Sequence, residues 1–399
     1  MGTFLLWAAV ALCLAATVIP HFLDRLYYRG AVSAHFDGSR FFNPDGDDDR
    51  LKMTAGSSRW GFLARQVFGD PTRPVWPGRV AVNPSKPAPR VEGAAMVATW
   101  VGHATLLVQA DGVNILTDPV WSDNAGPFGV GPRRVAAPGI RFEDLPKIDL
   151  VLVSHNHYDH MDLATLRRLH DRDHPLIVTS LGNDAILAGA GIRALGYDWG
   201  RSVFDMNGSP TTDPPEMECY YCGNRFVVTV TRNHHWDSRW FADRNRALWS
   251  SFVVQLPHGN FFFSGDTGLG DGKWPAEAAA LGPIRLAAIP IGAFRFESGQ
   301  MEAGSHIGPR GAVQVWSGLG RPRAIPIHWG TFRLSWEGYR TPPAMLDAML
   351  RCAGSDSARF AGVGIGVPVT IAPLDTPPPA PDLEALAACE ARGAFDALR

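Results

Sequence analysis

Four side chains able to hold a metal ion fall within one short stretch, Ser154-His155-Asn156-His157-Tyr158-Asp159-His160, directly after the apolar run Asp149 to Val153. From the chain's own His and Asp frequencies, the order HxHxDH arises by chance in on the order of one chain in a thousand, so a merely polar loop explains it poorly. Residues i and i+2 of an extended segment point to the same side, so His155 and His157 can share one ion while Asp159 and His160 turn towards a second. Neutral imidazole and carboxylate are common zinc ligands, and two zinc ions roughly 3.5 to 4 Å apart form a clamp for hydrolysis. Zinc lowers the pKa of bound water to about 7, which makes a hydroxide nucleophile available at neutral pH.

Four ligands from one loop cannot fill two metal sites, and the remainder are offered where further apolar runs end. Phe226 to Thr231 leads to His234 and His235, Phe261 to Ser264 leads to Gly265-Asp266-Thr267-Gly268, and Ala324 to Ile327 leads to His328-Trp329-Gly330. Loops beyond the carboxyl ends of strands are where layered folds build their sites, so the repetition argues for one convergent centre. Taken alone, each of these residues reads as a buried polar group with its partners satisfied. His234 and His235 are neighbours whose side chains point opposite ways, so only one can reach the metals, and the residues themselves do not choose between them.

Elements able to position such ligands recur between Met96 and about Pro373. Short apolar runs at Val113 to Thr117, Leu150 to Ser154, Phe226 to Thr231, Asn260 to Ser264, Ala287 to Ile291 and Ala324 to Ile327 predict buried strands. Helices are expected between them at Asp162 to His170, Gly182 to Ala190, Pro309 to Gly318 and Pro343 to Cys352, giving an α/β class with helices covering sheet faces. The hydrolase domain is expected over 96–372. Residues 21–95 read as an irregular wrap, with one amphipathic helix where Trp60, Leu63, Ala64, Val67 and Phe68 recur on one face. Residues 373–399 read as a Pro-rich spacer followed by a terminal helix, loosely attached.

A formal net charge of -2 over 399 residues gives no general attraction for a polyanion, so a nucleic-acid partner is not expected. Cys13, Cys219, Cys222, Cys352 and Cys389 are odd in number and far apart, which argues against a disulfide framework. The lone CxxC at Cys219 and Cys222 reads as strand-edge residues rather than a zinc site. Thr3 to Ile19 carries no charge and ends at Pro20, about the length of a short membrane span. Nothing basic except the amino terminus precedes it, so residues 1–20 read as a retained anchor rather than a cleaved signal. Arg25 and Arg29 follow it and favour a cytoplasmic body by the positive-inside tendency, while Asp24 weighs against, leaving the side of the membrane open.

An ordered set of phrases adds to this reading: Thr99-Trp100-Val101-Gly102-His103-Ala104-Thr105, Leu116-Thr117-Asp118-Pro119, His155 to His160, Gly265 to Gly268, Ala288-Ile289-Pro290-Ile291-Gly292-Ala293 and Ile327-His328-Trp329-Gly330-Thr331-Phe332. With them the chain resembles the metallo-β-lactamase superfamily, and within it the N-acylphosphatidylethanolamine-hydrolysing phospholipase D group, over roughly Thr99 to Glu337. The resemblance implies an αββα sandwich in which His155, His157 and His235 hold one zinc, Asp159, His160 and His328 hold the other, and Asp266 bridges both. His235 is preferred because in the family the ligand directly precedes a Trp, as His235 precedes Trp236. Asp118 is expected to orient a ligand histidine, against a plain turn-forming Asp before Pro119. His306 falls where the family places a histidine near the substrate, although Gly308 stands where an Asp or Asn is usual, which weakens the cap of the helix started by Pro309. His103 suits packing behind a ligand as well as catalysis.

The activity implied by the resemblance is phospholipase D-type cleavage of N-acylphosphatidylethanolamine to phosphatidic acid and an N-acylethanolamine, with Asp266 and His306 at the reacting centre and a phospholipid membrane as partner. A lactone or a small soluble phosphodiester is the rival substrate, since the fold does not fix the reaction. A membrane-tethered metal-binding protein without catalysis would be marked by a missing ligand, and all seven are present. A nuclease would need a basic clamp that the composition does not suggest. A phospholipase also needs an apolar groove beside the metals, for which the stretch Trp60 to Phe68 is the leading candidate.

Overall fold

In the computed structural model the described residues are 2–46, 73–206, 209–211, 224–240, 242–296, 300 and 303–398. The stretch Trp60 to Phe68 and the pair Cys219 and Cys222 lie outside them. Helix α1 (Gly2–Leu23) opens the chain, and strands β1 (Met96–Gly102), β2 (Thr105–Ala110), β3 (Val113–Thr117) and β4 (Leu150–Val153) follow. Next come α2 (Leu163–Asp173), β5 (Leu176–Ser180), α3 (Asn183–Gly189), β6 (Leu195–Tyr197), β7 (Ser202–Met206), β8 (Ser209–Thr211), β9 (Asn224–Thr231), β10 (Ser251–Gln255) and β11 (Asn260–Phe263). The remainder is α4 (Trp274–Ala279), β12 (Ile284–Pro290), α5 (Pro309–Gly318), β13 (Arg323–Ile327), α6 (Thr341–Cys352), β14 (Pro368–Thr370) and α7 (Leu383–Ala391).

The strands form two sheets, β14-β1-β2-β3-β4-β5-β6 and β13-β12-β11-β10-β9-β7-β8, packed face to face. Period two explains the layering of the first sheet. Leu106, Val108, Leu150 and Leu152 join Val228, Phe252 and Phe263 between the sheets, whereas Leu107, Val151 and Val153 point the other way onto Leu166 and Leu169 of α2 and Leu187 of α3. β12 is buried at every position because α5 covers its outer face, which is why its sequence reads as one apolar run. The result is the αββα sandwich expected from the sequence. The predicted helix Pro309 to Gly318 matches α5, and its capping residue Gly308 supplies no side-chain hydrogen bond. Strands β1, β2, β5 and β10 lie outside the predicted runs, because their burial is set by neighbours that those runs do not reveal.

Two expectations are corrected at the chain's end. Cys352 and Cys389 form a disulfide across a sequence separation of 37, which fastens α7 to the end of α6. An odd cysteine count conceals the pair, since only folding brings the last helix back beside α6. Nor is α7 loosely attached: Asp382 caps it by accepting from Ala385 N, and Leu386 and Phe395 are buried in the main core. Among the described residues no helix is long and apolar enough to cross a membrane. What α1 does present is apolar side chains on all sides, with Phe4, Leu5, Leu6 and Trp7 consecutively exposed.

Candidate metal centre

The strands that carry the candidate ligands all run in one direction. β3, β4 and β5 are parallel, as are β11, β12 and β13, and β9 and β11 both pair antiparallel with β10. Their carboxyl ends therefore emerge on the same side, where Ser250 N–H donates to the Ser154 carbonyl at 3.0 Å and joins the two sheets. Close approach matters here: Gly265 has φ +59 and a Cβ on it would lie 2.5 Å from Ser154 Cβ, so a glycine lets the Asp266 loop lie on the histidine loop. His103, Asp118 and His328 also turn at positive φ as they leave their strands, a strained geometry of the kind that collects at functional sites.

Two groups of ring nitrogens and carboxylates result. In the first, His155 Nε2 lies 2.8 Å and His235 Nε2 3.5 Å from His157 Nδ1. In the second, Asp159, His160 and His328 come together with His103, their ligand atoms all within 4.8 Å of one another. Asp266 stands between the groups, its Oδ2 at 3.2 Å from His160 Nε2, 2.9 Å from His328 Nε2 and 3.6 Å from His306 Nδ1. The structure thus brings together His155, His157, Asp159, His160, His235, Asp266, His306 and His328. His234 turns away, its Nδ1 at 3.0 Å from Asp45 Oδ1.

Hydrogen bonds behind the rings decide which nitrogen faces inward. Asp118 Oδ2 accepts from the Ser154 hydroxyl and from His160 Nδ1, both at 2.6 Å. The Ser154 hydroxyl has spent its one hydrogen on Asp118, so it accepts from His155 Nδ1 at 2.8 Å. Carbonyl oxygens accept only, so His235 Nδ1 donates to Ser305 at 2.8 Å and His328 Nδ1 to Gly292 at 3.3 Å. In their neutral forms His155, His160, His235 and His328 consequently turn an unprotonated Nε2 towards the centre. His160 Nε2 and His328 Nε2 are buried against the carboxylates of Asp159 and Asp266, and Asp266 Oδ1 is buried without a hydrogen-bond partner among the described residues. Converging lone pairs and an orphaned carboxylate oxygen in a buried site call for a cation, and the all-His/Asp donor set fits zinc or another divalent metal.

Charge balance points the same way. Burial holds His157 at about 3, and burial aided by neighbouring rings holds His155 and His235 well below the imidazole range. Burial also lowers His160 and His328, but there the carboxylates of Asp266 and Asp159 outweigh it, raising His328 to about 9 and His160 well above the usual value. Burial raises Asp159 and Asp266 in turn, yet His160 and its neighbours hold both well below the usual carboxylate range. In the metal-free protein a proton thus supplies the positive charge that the two aspartates demand.

Some supporting residues are not among those expected from the sequence. Asn233 Nδ2 donates to the carbonyls of Ser264 and Asp266, each at 2.9 Å, and so fixes the Asp266 loop. Asp237 accepts from Asn156 N at 3.3 Å, and buried Arg239 donates to the Asn156 and Met161 carbonyls at 2.9 Å, which together hold the histidine loop from behind. The crowding of Asn233, Asp237 and Arg239 around His235 is the signal that could have found them. His103, whose role the sequence leaves open, donates through Nε2 to Asp159 Oδ2 at 2.9 Å, and its ring lies 4.1 Å from the His328 ring in a tilted arrangement.

The centre opens into a cavity of about 340 Å³ walled by Pro127, Pro132, Trp236, Phe296 and Leu334, with His157, Asp159, Asp266 and His306 at its floor. The described walls come from the 125–132 loop and from the loops after β9, β12 and β13, not from segments before Met96. On the far side of the same loop, Phe128 and Val130 are 91% and 69% exposed.

Residues 113–329 match the beta-lactamase superfamily domain family. The chain is 35% identical over 253 residues to N-acyl-phosphatidylethanolamine-hydrolyzing phospholipase D 1 of Caenorhabditis elegans, covering 63% of this chain and 68% of that protein. It is 30% identical over 260 residues to the mitochondrial N-acyl-phosphatidylethanolamine-hydrolyzing phospholipase D of Saccharomyces cerevisiae, covering 64% and 52%. Among solved structures, an isothiocyanate hydrolase from Delia radicum gut bacteria superposes with a TM-score of 0.51 at 17% identity, covering 69% of this chain and all of that one (100%), a likeness of fold.

Proposed function

Since the chain belongs to the metallo-β-lactamase superfamily of metal-dependent hydrolases, we propose that it is a binuclear zinc phosphodiesterase that cleaves N-acylphosphatidylethanolamine to phosphatidic acid and an N-acylethanolamine. In this reading His155, His157 and His235 hold one ion, Asp159, His160 and His328 the other, and Asp266 lies between them. Such a metal pair supplies Lewis-acid stabilisation of the phosphoryl oxygens and an activated water.

The chain's own residues do the rest. Asp118 and Ser154 keep the ring tautomers of His160 and His155 in register, and His103 steadies Asp159. His306 lies beside Asp266 at the cavity floor, and desolvation there lowers it to about 4, so it meets the substrate neutral and donates a hydrogen bond to the departing oxygen rather than a full charge. Trp236 and Phe296 present apolar ring surface beside the reacting centre.

The observation that carries the lipid reading is the apolar cavity opening directly over the ligands. At about 340 Å³ it takes a headgroup linkage and not several acyl chains, so the chains of a phospholipid must stay in the bilayer. The exposed tip at Phe128 and Val130 and the apolar surface of α1 offer contacts for that bilayer, with α1 resting on or dipping into the lipid surface. The test is product identification: full-length protein is given vesicles of N-acylphosphatidylethanolamine, a lactone and a soluble phosphodiester, and products are identified by mass spectrometry. Phosphatidic acid with N-acylethanolamine is the expected pair. Turnover of the lactone or the soluble diester alone would replace the lipid reading.

A further inference from the structure

Residues 24–45, which follow α1, hold the loop that carries His235. Phe36 and Phe41 are buried with Leu248 and Trp249, so this strap is anchored in its own apolar cluster. Its attachments run from the end of α1: Asp24 pairs with both Arg40 and Arg246, and Phe41 N donates to the Asn245 carbonyl at 2.8 Å. The strap then reaches the ligand itself. Asn43, 4% exposed, donates through Nδ2 to the His235 carbonyl at 3.0 Å while its Oδ1 accepts from Trp249 Nε1 at 3.2 Å. Asp45 faces His234 Nδ1 at 3.0 Å and accepts from Asp271 N at 2.7 Å.

Adjacent residues on an extended segment point opposite ways, so holding the His234 ring on Asp45 turns the His235 ring towards the centre. The His235 ring is otherwise steadied by its bond to the Ser305 carbonyl. We infer that Asn43 and Asp45 are positioning residues that latch the His234–His235 dipeptide and so set the affinity of the three-histidine site for its ion. This rests on the proposal above that His235 holds metal. It also makes the strap part of the metal centre's construction, in direct continuity with α1.

The test uses full-length protein freed of metal and titrated with zinc, read by calorimetry and by elemental analysis after gel filtration. Asn43→Asp keeps the size but turns an acceptor onto the His235 carbonyl, and Asp45→Ala releases the His234 ring. Each is expected to weaken one zinc equivalent by about tenfold or more while the other is unchanged, as for other outer partners of ligand histidines. Asp45→Asn, which keeps an acceptor for Asp271 N, should retain most of the affinity. Saturating zinc should return activity to the plateau of the unsubstituted protein, which a general loss of structure would not allow. Should Asn43→Asp fail to fold by circular dichroism, Asp45→Ala carries the test alone. Two unweakened zinc equivalents in the variants, or a loss of activity that saturating zinc does not restore, would overturn the latch. An unsubstituted protein that takes up no zinc would instead overturn the metal reading beneath it.

Discussion

Asp118 Oδ2 lies 2.6 Å from His160 Nδ1, and both side chains are fully buried. The same oxygen takes the Ser154 hydroxyl, which in turn orients His155, so one carboxylate sets a ligand of each proposed ion. Asp118→Asn keeps the shape but puts an amide where two donors converge. Zinc affinity should fall by about 10- to 100-fold and the metal-free fold should lose about 1–3 kcal/mol in denaturant melts. Unchanged zinc binding in that variant would show that Asp118 does not set the ligands.

The metal-free protein should be most stable near pH 6.5 to 7. His328 is raised to about 9 when folded, so its stabilisation is complete below the ordinary imidazole value and is lost as pH rises through about 9. His157 and His306 are lowered to about 3 and 4, so their unfolded forms take up protons first and stability falls as pH drops below the ordinary value. Thermal melts from pH 4 to 10 with and without zinc check this. Zinc should flatten the alkaline limb, because the ion replaces the proton; an alkaline limb identical in both series would contradict the charge balance described above.

His306→Ala should reduce kcat by about a hundredfold with little change in zinc content, as for loss of a preorganised hydrogen-bond donor to a developing oxyanion. Part of the loss should return on a phosphodiester with a nitrophenolate leaving group, which needs no such donor. A variant as impaired on that ester as on the lipid would assign His306 to packing beside Asp266.

Much of this centre is legible in the amino-acid sequence. HxHxDH and the strand-end positions of Asp266 and His328 are local signals, and the runs Phe261 to Phe263 in β11 and Ala324 to Ile327 in β13 that deliver them are continuous apolar stretches. Between His234 and His235 the pair itself is silent and only the resemblance, through Trp236, favours His235; the contacts that hold His234 outward and the His235 carbonyl in place come from Asp45, 189 residues away, and from Asn43. The disulfide and the docking of α7 are hidden for the same reason, since both are set by where α6 ends in space. The cavity wall at Pro127 and Pro132 is equally silent, because a Gly- and Pro-rich loop has no periodicity to read.

Phe128 and Val130 stand at the exposed tip of that wall, and replacing both by Ser should lower turnover of vesicle-borne substrate about tenfold or more through lost interfacial burial. Hydrolysis of a soluble phosphodiester and zinc content should stay within about twofold, since neither side chain reaches the floor of the cavity. Vesicle flotation measures the binding loss separately. Equal impairment on both substrates would show that the loop shapes the site rather than meeting the bilayer.

The central claim is that seven side chains hold two adjacent ions, and anomalous diffraction at the zinc absorption edge from crystals of the zinc-loaded protein tests it most directly. Two peaks roughly 3.5 to 4 Å apart are expected, one among His155, His157 and His235, the other among Asp159, His160 and His328, with the Asp266 carboxylate between them. A single peak in that cluster, or zinc bound elsewhere with these rings unligated, would contradict it.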